Sequence, residues 1–188
     1  MPSPLWVVKV GGSLYDWPGL AATLRAWINA APARVVLLPG GGDGADVIRE
    51  LDRVHRLGEE ASHWLALRVL SLNAHLLAGW LQLPVTMAAP QDSHAILDAQ
   101  AFFEADEANA DHLPHRWDVT SDSLAVRAAH RLLAEQLVLL KSTTWDDEDR
   151  WADAVQAGVV DAYFTEALKQ TPSLRVRAVN LRAWTPSR

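Results

Sequence analysis

Cysteine is absent from this chain of 188 residues. That excludes a disulfide framework and a thiolate zinc site, and it fits a reducing compartment. A basic surplus is missing too: 17 Lys and Arg stand against 23 Asp and Glu, a net charge of −6. A general nucleic-acid binder needs a basic footprint, so no nucleic-acid partner is expected. Met1 to Lys9 shows no basic segment followed by an apolar one, so no signal peptide is expected and the cytoplasm is the expected location. No uninterrupted apolar run reaches the roughly 18 residues of a membrane span. The most apolar stretch, Trp64 to Leu83, is broken by Arg68, Asn73 and His75 and reads as a buried or interface helix; no membrane partner is expected. No serine sits in a Gly-x-Ser-x-Gly elbow, which removes support for a serine hydrolase. The seven histidines show no metal spacing. His112 and His115 are close, but in loop-like sequence, so no protein-held metal is expected.

What is present is an apolar half of the composition, enough for one domain covered on both sides. Leu5 to Val10 is a short apolar run that predicts a buried strand. Leu20, Leu24, Trp27 and Ile28 then recur at helical spacing, Arg34 to Leu38 is a second strand, and Val47, Ile48, Leu51 and Val54 mark a second helix face. Strand, helix, strand, helix predicts βαβ units and a parallel sheet. Glu59 to Leu81 predicts a long helix, apolar on most of its circumference, for which a homodimer is one natural cover. Further along, Pro84 to Ala89 and Ala95 to Ala101 are expected as strands and Glu104 to His115 as loop. Ser121 to Ala134 is expected as a helix capped by Ser121 or Thr120. Gln136 to Leu140 is a strand, Asp147 to Gln156 and Asp161 to Leu168 are short helices, and Leu174 to Val179 is the last strand. The nine tryptophans are scattered, as core or interface residues are.

Four places carry chemistry. Lys9-Val10-Gly11-Gly12-Ser13 ends a strand in a lysine and two glycines. Glycines let the backbone approach an anion, and their N–H groups can form a nest for it. A tight turn with a solvated lysine is the plain alternative. Pro39-Gly40-Gly41-Gly42-Asp43-Gly44 lies between a strand and a helix, where free N–H groups and the helix dipole favour phosphate. It lacks the Gly-Lys-Ser/Thr of a Walker A loop. Gly40 and Gly42 with Ala45 leave a dinucleotide fingerprint open, but Glu59 and Glu60, at the right distance for the ribose, fall in helical sequence. Asp118-Val119-Thr120-Ser121-Asp122 crowds hydroxyls and carboxylates at a helix start. Capping explains Ser121 and Asp122; a functional reading gives Thr120 and Ser121 to substrate and lets Asp122 orient lysines. Lys141-Ser142-Thr143-Thr144 again ends a buried strand in a lysine followed by hydroxyls. Two glycine loops after neighbouring parallel strands open at one carboxyl edge, where ligands of α/β sheets bind.

In this order the motifs resemble the amino acid kinase family over about residues 5 to 145. The quoted stretches are Val7 to Ser13, Pro39 to Gly42, Ser121-Asp122-Ser123-Leu124-Ala125 and Leu139-Leu140-Lys141. The resemblance implies an α/β three-layer sandwich with a mainly parallel sheet, the carbamate kinase-like fold. Within the family, Trp117 to Ser123, the Trp-rich helix from Trp64 and Gly158 to Phe164 resemble a short branch. Its kinases convert an aminomethyl-furanmethyl monophosphate to the diphosphate in methanofuran biosynthesis; like uridylate and isopentenyl phosphate kinases, they phosphorylate a phosphate. The chain departs from the family in reading Thr143-Thr144-Trp145-Asp146 where an Asp-Val-Asp-Gly-like loop is usual, and in lacking the later Gly-Gly-Met segment and its lysine. One domain over 1–188 is therefore expected, with an acceptor part at 1–135 and a shortened nucleotide part at 136–188. Lys169 is one candidate replacement for the missing lysine.

The expected activity is transfer of the γ-phosphoryl group of ATP, with Mg²⁺ held through ATP phosphates, to a small phosphorylated acceptor. Lys9, Asp122 and Lys141 are the expected catalytic residues. Gly11, Gly12, Ser13, Ser142, Thr143 and Thr144 are expected on ATP, and Gly40, Gly41, Gly42, Asp118, Thr120 and Ser121 on the acceptor. A homodimer or higher homo-oligomer is the expected assembly. The alternatives are a non-catalytic homologue that binds a phosphorylated metabolite, or a kinase acting on a carboxylate or a nucleoside monophosphate.

Overall fold

The computed structural model describes residues 3–147 and 150–186. Its centre is a sheet of six strands in the order β3-β4-β2-β1-β5-β6. These are β1 (Leu5–Val10), β2 (Arg34–Pro39), β3 (Val85–Thr86), β4 (Ala95–Leu97), β5 (Gln136–Lys141) and β6 (Arg175–Asn180). Every neighbouring pair runs parallel. The first strand lies in the middle and is buried along its whole length, as a parallel strand covered on both faces must be. From β1 the chain passes to β2, out to the edge at β3 and back to β4 between them, then crosses to the other side of β1 with β5 and β6. The order thus reverses between β1 and β5, and such a switch point opens a crevice at the carboxyl ends of the strands.

Strand periodicity divides the core in two. Leu5, Val7, Leu137 and Leu139 face one layer, with α4 (Ala99–Asp106), α5 (Ser121–Arg131), α6 (Trp151–Gln156) and α7 (Phe164–Lys169). Trp6, Val8, Val10, Val138 and Leu140 face the other, against Leu20, Leu24, Trp27 and Ile28 of α1 (Leu20–Ala30). Each fully buried Val or Leu contributes about 1.5–3 kcal/mol. The long helix α3 (Glu59–Leu81) has the length and hydropathy of a membrane span. Here it sends Leu67 and Leu70 to one core layer and Ala74, Leu77 and Leu81 to the other, at the β2–β4 side of the sheet.

Several boundaries differ from the sequence expectation. The strand expected over 95–101 ends at Leu97, because Asp98 caps α4 by accepting from the Ala101 N–H. Helix α4 also takes the first residues of the expected loop 104–115. The strand expected over 84–89 keeps two residues. Of the helix expected over 147–156, Trp151–Gln156 is helical, while residues 148 and 149 lie outside the described residues. Helix α7 begins at Phe164, which leaves Asp161 free to turn toward α5. The apolar face of α2 (Asp43–His55) buries no residue, with Val47 at 57% and Val54 at 54% exposure.

Candidate active site

Odd positions of β1 and β5 share one face of the sheet, because side chains alternate along a strand and the two strands run in register. Lys9 and Lys141 therefore point to the same layer, where α5 presents Asp122 in its first turn. Lys9 Nζ lies 2.9 Å from Asp122 Oδ1. Lys141 Nζ donates to both carboxylate oxygens at 2.8 and 2.9 Å, and to the Val159 carbonyl at 2.6 Å. The three residues are 5%, 6% and 9% exposed for Lys9, Asp122 and Lys141. Two ammonium groups on one carboxylate leave a net positive charge in a site nearly closed to water, where charge acts at long effective range.

Burial opposes ionisation of Asp122, but the charges of Lys9 and Lys141 outweigh it, and its carboxyl stays below the usual range. Burial, reinforced by the Lys9 charge, brings Lys141 down to about 8. Lys141 thus loses its proton far more readily than a surface lysine.

The glycine loops meet above this triad. A Cβ on Gly12 would stand 2.4 Å from the Gly42 nitrogen, so the two loops touch backbone to backbone. Gly42 takes φ +55° and opens α2, a conformation that disfavours any other residue. Asn73 of α3 donates to the carbonyls of Gly40 and Gly41 at 2.8 and 3.1 Å and holds the second loop from behind. The N–H groups of Gly12, Gly41 and Gly42 make no hydrogen bond among the described residues. Those of Gly11 and Gly40 do: they donate to the carbonyls of Leu140 and Val10, both at 2.8 Å. Gly11 and Gly40 thus extend the sheet and their N–H groups are spent, which corrects the expectation that the Gly11 N–H would cradle phosphate; Gly11 still lines the cavity over the triad, whereas Gly40, expected on the acceptor, lines neither of the cavities beside the loops.

Two cavities flank the loops. One, of about 310 Å³, lies between α2, α3 and the start of α5, and includes Gly41, Gly42, Arg49, Arg116, Trp117 and Ser121 in its wall. The other, of about 410 Å³, lies over the triad and is lined by Lys9, Asp122, Lys141, Ser142 and Thr143, with Gly158 to Asp161 closing it. Gly12, Ser13 and Thr120 belong to both. Ser13 Oγ and Ser142 Oγ are 2.8 Å apart, which ties the two strand ends together.

Three expected residues fall elsewhere. Asp118 does not line either cavity; its carboxylate accepts from Arg116 Nε at 2.9 Å and so orients that guanidinium instead. Thr144 turns away to accept from Asn180 Nδ2 at 3.1 Å. Lys169 pairs with Glu166 on the solvent face of α7 and lines neither cavity.

Other site residues were not singled out from sequence. Asp161 is the most informative. Thr120 is the N-cap of α5, yet its side chain makes no cap bond. The carboxylate of Asp161 does that work from a distant loop, accepting from the N–H groups of Thr120 and Ser123 at 3.0 and 2.9 Å and from the Thr120 hydroxyl at 2.9 Å. Burial raises its pKa, while its hydrogen bonds from Ser123 pull the other way. Asp161 pins the helix that carries Asp122. No local capping pattern could reveal a cap supplied about 40 residues downstream. On the other cavity, Trp117 Nε1 donates to Asp52 Oδ2 at 2.7 Å, and the Arg49 guanidinium lies 5.1 Å from the Trp117 ring centre.

The class is set by the sheet order and by the placing of this site. Across 97% of its length the chain superposes on the UMP kinase of Bacillus anthracis, with a TM-score of 0.62 at 14% identity, covering 89% of that chain. For the uridylate kinase of Archaeoglobus fulgidus the values are 97%, 0.60, 14% and 92%. The fold is that of the amino acid kinases. No family-level sequence profile matches the chain. A Methanocaldococcus jannaschii protein, a (5-(aminomethyl)furan-3-yl)methyl phosphate kinase, is 27% identical over 142 residues, which span 71% of this chain and 63% of that protein. With its four motifs in order around one site, the chain is similar to members of the amino acid kinase family and shares their fold.

Proposed function

We propose that the protein is an ATP-dependent kinase that phosphorylates a small phosphomonoester to a diphosphate. The observation that carries this reading is the seam at Gly12, Ser13 and Thr120, where two cavities meet over a buried pair of lysines. The triad cavity would take the triphosphate and the α2 cavity the acceptor.

An oxygen of the acceptor phosphate attacks the γ-phosphorus, the bond to the β-bridging oxygen breaks, and ADP leaves with the electron pair. A phosphate nucleophile needs no general base. Catalysis then rests on alignment and on charge neutralisation. Lys9 would bridge the transferring group, Lys141 would offset charge on the leaving diphosphate, and Asp122 would position both. The free N–H groups of Gly12, Gly41 and Gly42 would grip oxygens on either side of the seam. Buried Asp122 and partly buried Asp161, the carboxylates lining the triad cavity, are already engaged by the lysines and by Thr120 and Ser123. That fits Mg²⁺ carried by ATP phosphates and water, its usual habit.

The acceptor cavity carries both signs of charge: Arg49 and Arg116 for a phosphate, Asp43 and Asp46 for an ammonium, with Trp117 as a flat face. This supports an acceptor with a phosphate, an amine and a planar ring, as in an aminomethyl-furanmethyl phosphate. The M. jannaschii relative supports the same choice. Part of the reading is a homodimer, in which a second copy covers Leu72, Leu76 and Trp80, exposed at i, i+4, i+8 on α3.

The test is ATP consumption across phosphomonoesters, nucleoside monophosphates and carboxylates, with calorimetry of MgATP binding. Turnover confined to an amine-bearing phosphomonoester is expected. Absence of MgATP binding would leave the metabolite-binding alternative standing; turnover of carboxylates alone would replace the acceptor assignment.

The pH profile carries a second expectation. Since kcat/KM reports the free enzyme, its value for MgATP should fall about tenfold per pH unit above about 8, as Lys141 loses its charge. The stability contribution has the opposite sign. Lys141 is held below its unfolded value of 10.5, so the cost of burying its charge is present below pH 8 and is relieved between about 8 and 10.5. A profile flat to pH 9.5 would remove Lys141 from the rate.

A further inference from the structure

A cluster of metal-competent side chains lies behind the acceptor cavity, away from the lysine triad. Glu107 follows the last turn of α4, and His112 and His115 lie on the loop before α5. One ligand atom from each lies within 4.8 Å of the other two. His115 Nε2 is 3.0 Å from Glu107 Oε1, and its other nitrogen, Nδ1, is 2.6 Å from Glu60 Oε2 on α3. His112 turns Nδ1 toward this group, 3.6 Å from Glu107 Oε1; the same nitrogen donates to the Leu113 carbonyl at 3.0 Å, a bond that a turn of the ring would exchange for a metal contact through Nε2, which keeps its lone pair. The loop itself is anchored: buried Arg127 of α5 donates to Asp106 at 2.7 and 3.0 Å and to Asp111 at 2.8 and 3.1 Å, on either side of Glu107.

Two features of this geometry belong to metal centres. Ligand atoms about 2.0–2.2 Å from a tetrahedral zinc stand roughly 3.3 Å from one another. The separation of His115 and Glu107 is close to that, and rotation of the partly exposed His112 and Glu107 side chains would complete it around the largely covered His115 ring. Second, a metal-binding histidine commonly gives its opposite N–H to a carboxylate, which fixes the ring and strengthens the ligand nitrogen. Glu60 stands in that position toward His115.

We propose that Glu107, His112 and His115 form a divalent transition-metal site suited to zinc, with Glu60 as the positioning residue of His115 and the fourth position open to water. Two imidazoles and one carboxylate favour zinc over magnesium or calcium, which take oxygen ligands. His63, which lines the acceptor cavity, stacks on His115 with ring centres 4.3 Å apart, so the ion would brace that wall from behind.

The test starts from full-length protein freed of metal by a chelator that is then removed, and titrates it with zinc chloride in a calorimeter. Cobalt(II) is titrated in parallel, with visible absorption reporting a tetrahedral site. One equivalent per chain is expected, with the cobalt bands. His112→Ala and Glu107→Ala should each abolish both signals; their side chains are 37% and 34% exposed, so neither opens the core. Glu60→Gln should weaken binding about 10- to 100-fold without abolishing it, the usual size of a supporting-ligand effect. His55→Ala, on exposed α2, should change nothing. No stoichiometric zinc binding by the wild type would overturn the site, as would binding unchanged in both His112→Ala and Glu107→Ala.

Discussion

Replacing Asp122 with asparagine is expected to cost both fold stability and turnover. Removing one partner from a buried ionic group strands the remaining charge, at about 3–5 kcal/mol. Here two ammonium groups would be stranded together, since Lys9 and Lys141 both contact this carboxylate. The amide has nearly the same shape, so the loss would come from charge and not from a cavity. Denaturant unfolding should show a large drop in midpoint with little change in slope. A further mark is proton loss: without the carboxylate, Lys141 should titrate below its present value of about 8. An asparagine variant as stable as wild type would mean that the lysines are already largely neutral, and the electrostatic account of the site would fail.

Replacing Lys9 with alanine should produce the contrasting result. The Asp122–Lys141 pair remains intact, so the fold should survive with its charges balanced. Turnover should fall at least about 100-fold, the scale of losing one preorganised transition-state contact. If Lys9 acts on the transferring group, kcat should carry most of that loss while the KM for MgATP moves little. Equal kcat with a raised KM would reassign Lys9 to ground-state binding. Comparing the two variants separates what the triad does for folding from what it does for the reaction.

How much of this site was legible in the sequence depends on how local each signal is. Lys9 and Lys141 each end an apolar run, and strand periodicity alone sends them to one face once the strands are neighbours. The glycine loops were legible for the same reason: Gly12 and Gly42 sit at strand-to-helix junctions, where glycine has few other uses. What could not be read was which N–H groups stay free. Gly11 and Gly12 look alike in sequence, yet ladder pairing with Leu140 consumes one and leaves the other. Asp118 and Thr144 looked like site residues by proximity to the motifs, and their side chains turn to Arg116 and Asn180. Arg49, His63 and Asp161 come from helices and loops remote in sequence and gain meaning only through packing. The α2 helix shows the opposite error: its periodic Val47, Leu51 and Val54 promised a buried face that the single chain leaves open.

The triad has a further consequence for how the molecule can be divided. Lys9 and Asp122 are contributed before residue 135 and Lys141 after it, so the proposed acceptor portion keeps a Lys9–Asp122 ion pair while the proposed nucleotide portion holds a buried lysine whose carboxylate lies across the boundary. Severing the chain at that boundary would leave Lys141 without its counter-ion in the second fragment. Exchanging the proposed nucleotide portion for that of a relative would therefore demand a lysine delivered to the same carboxylate.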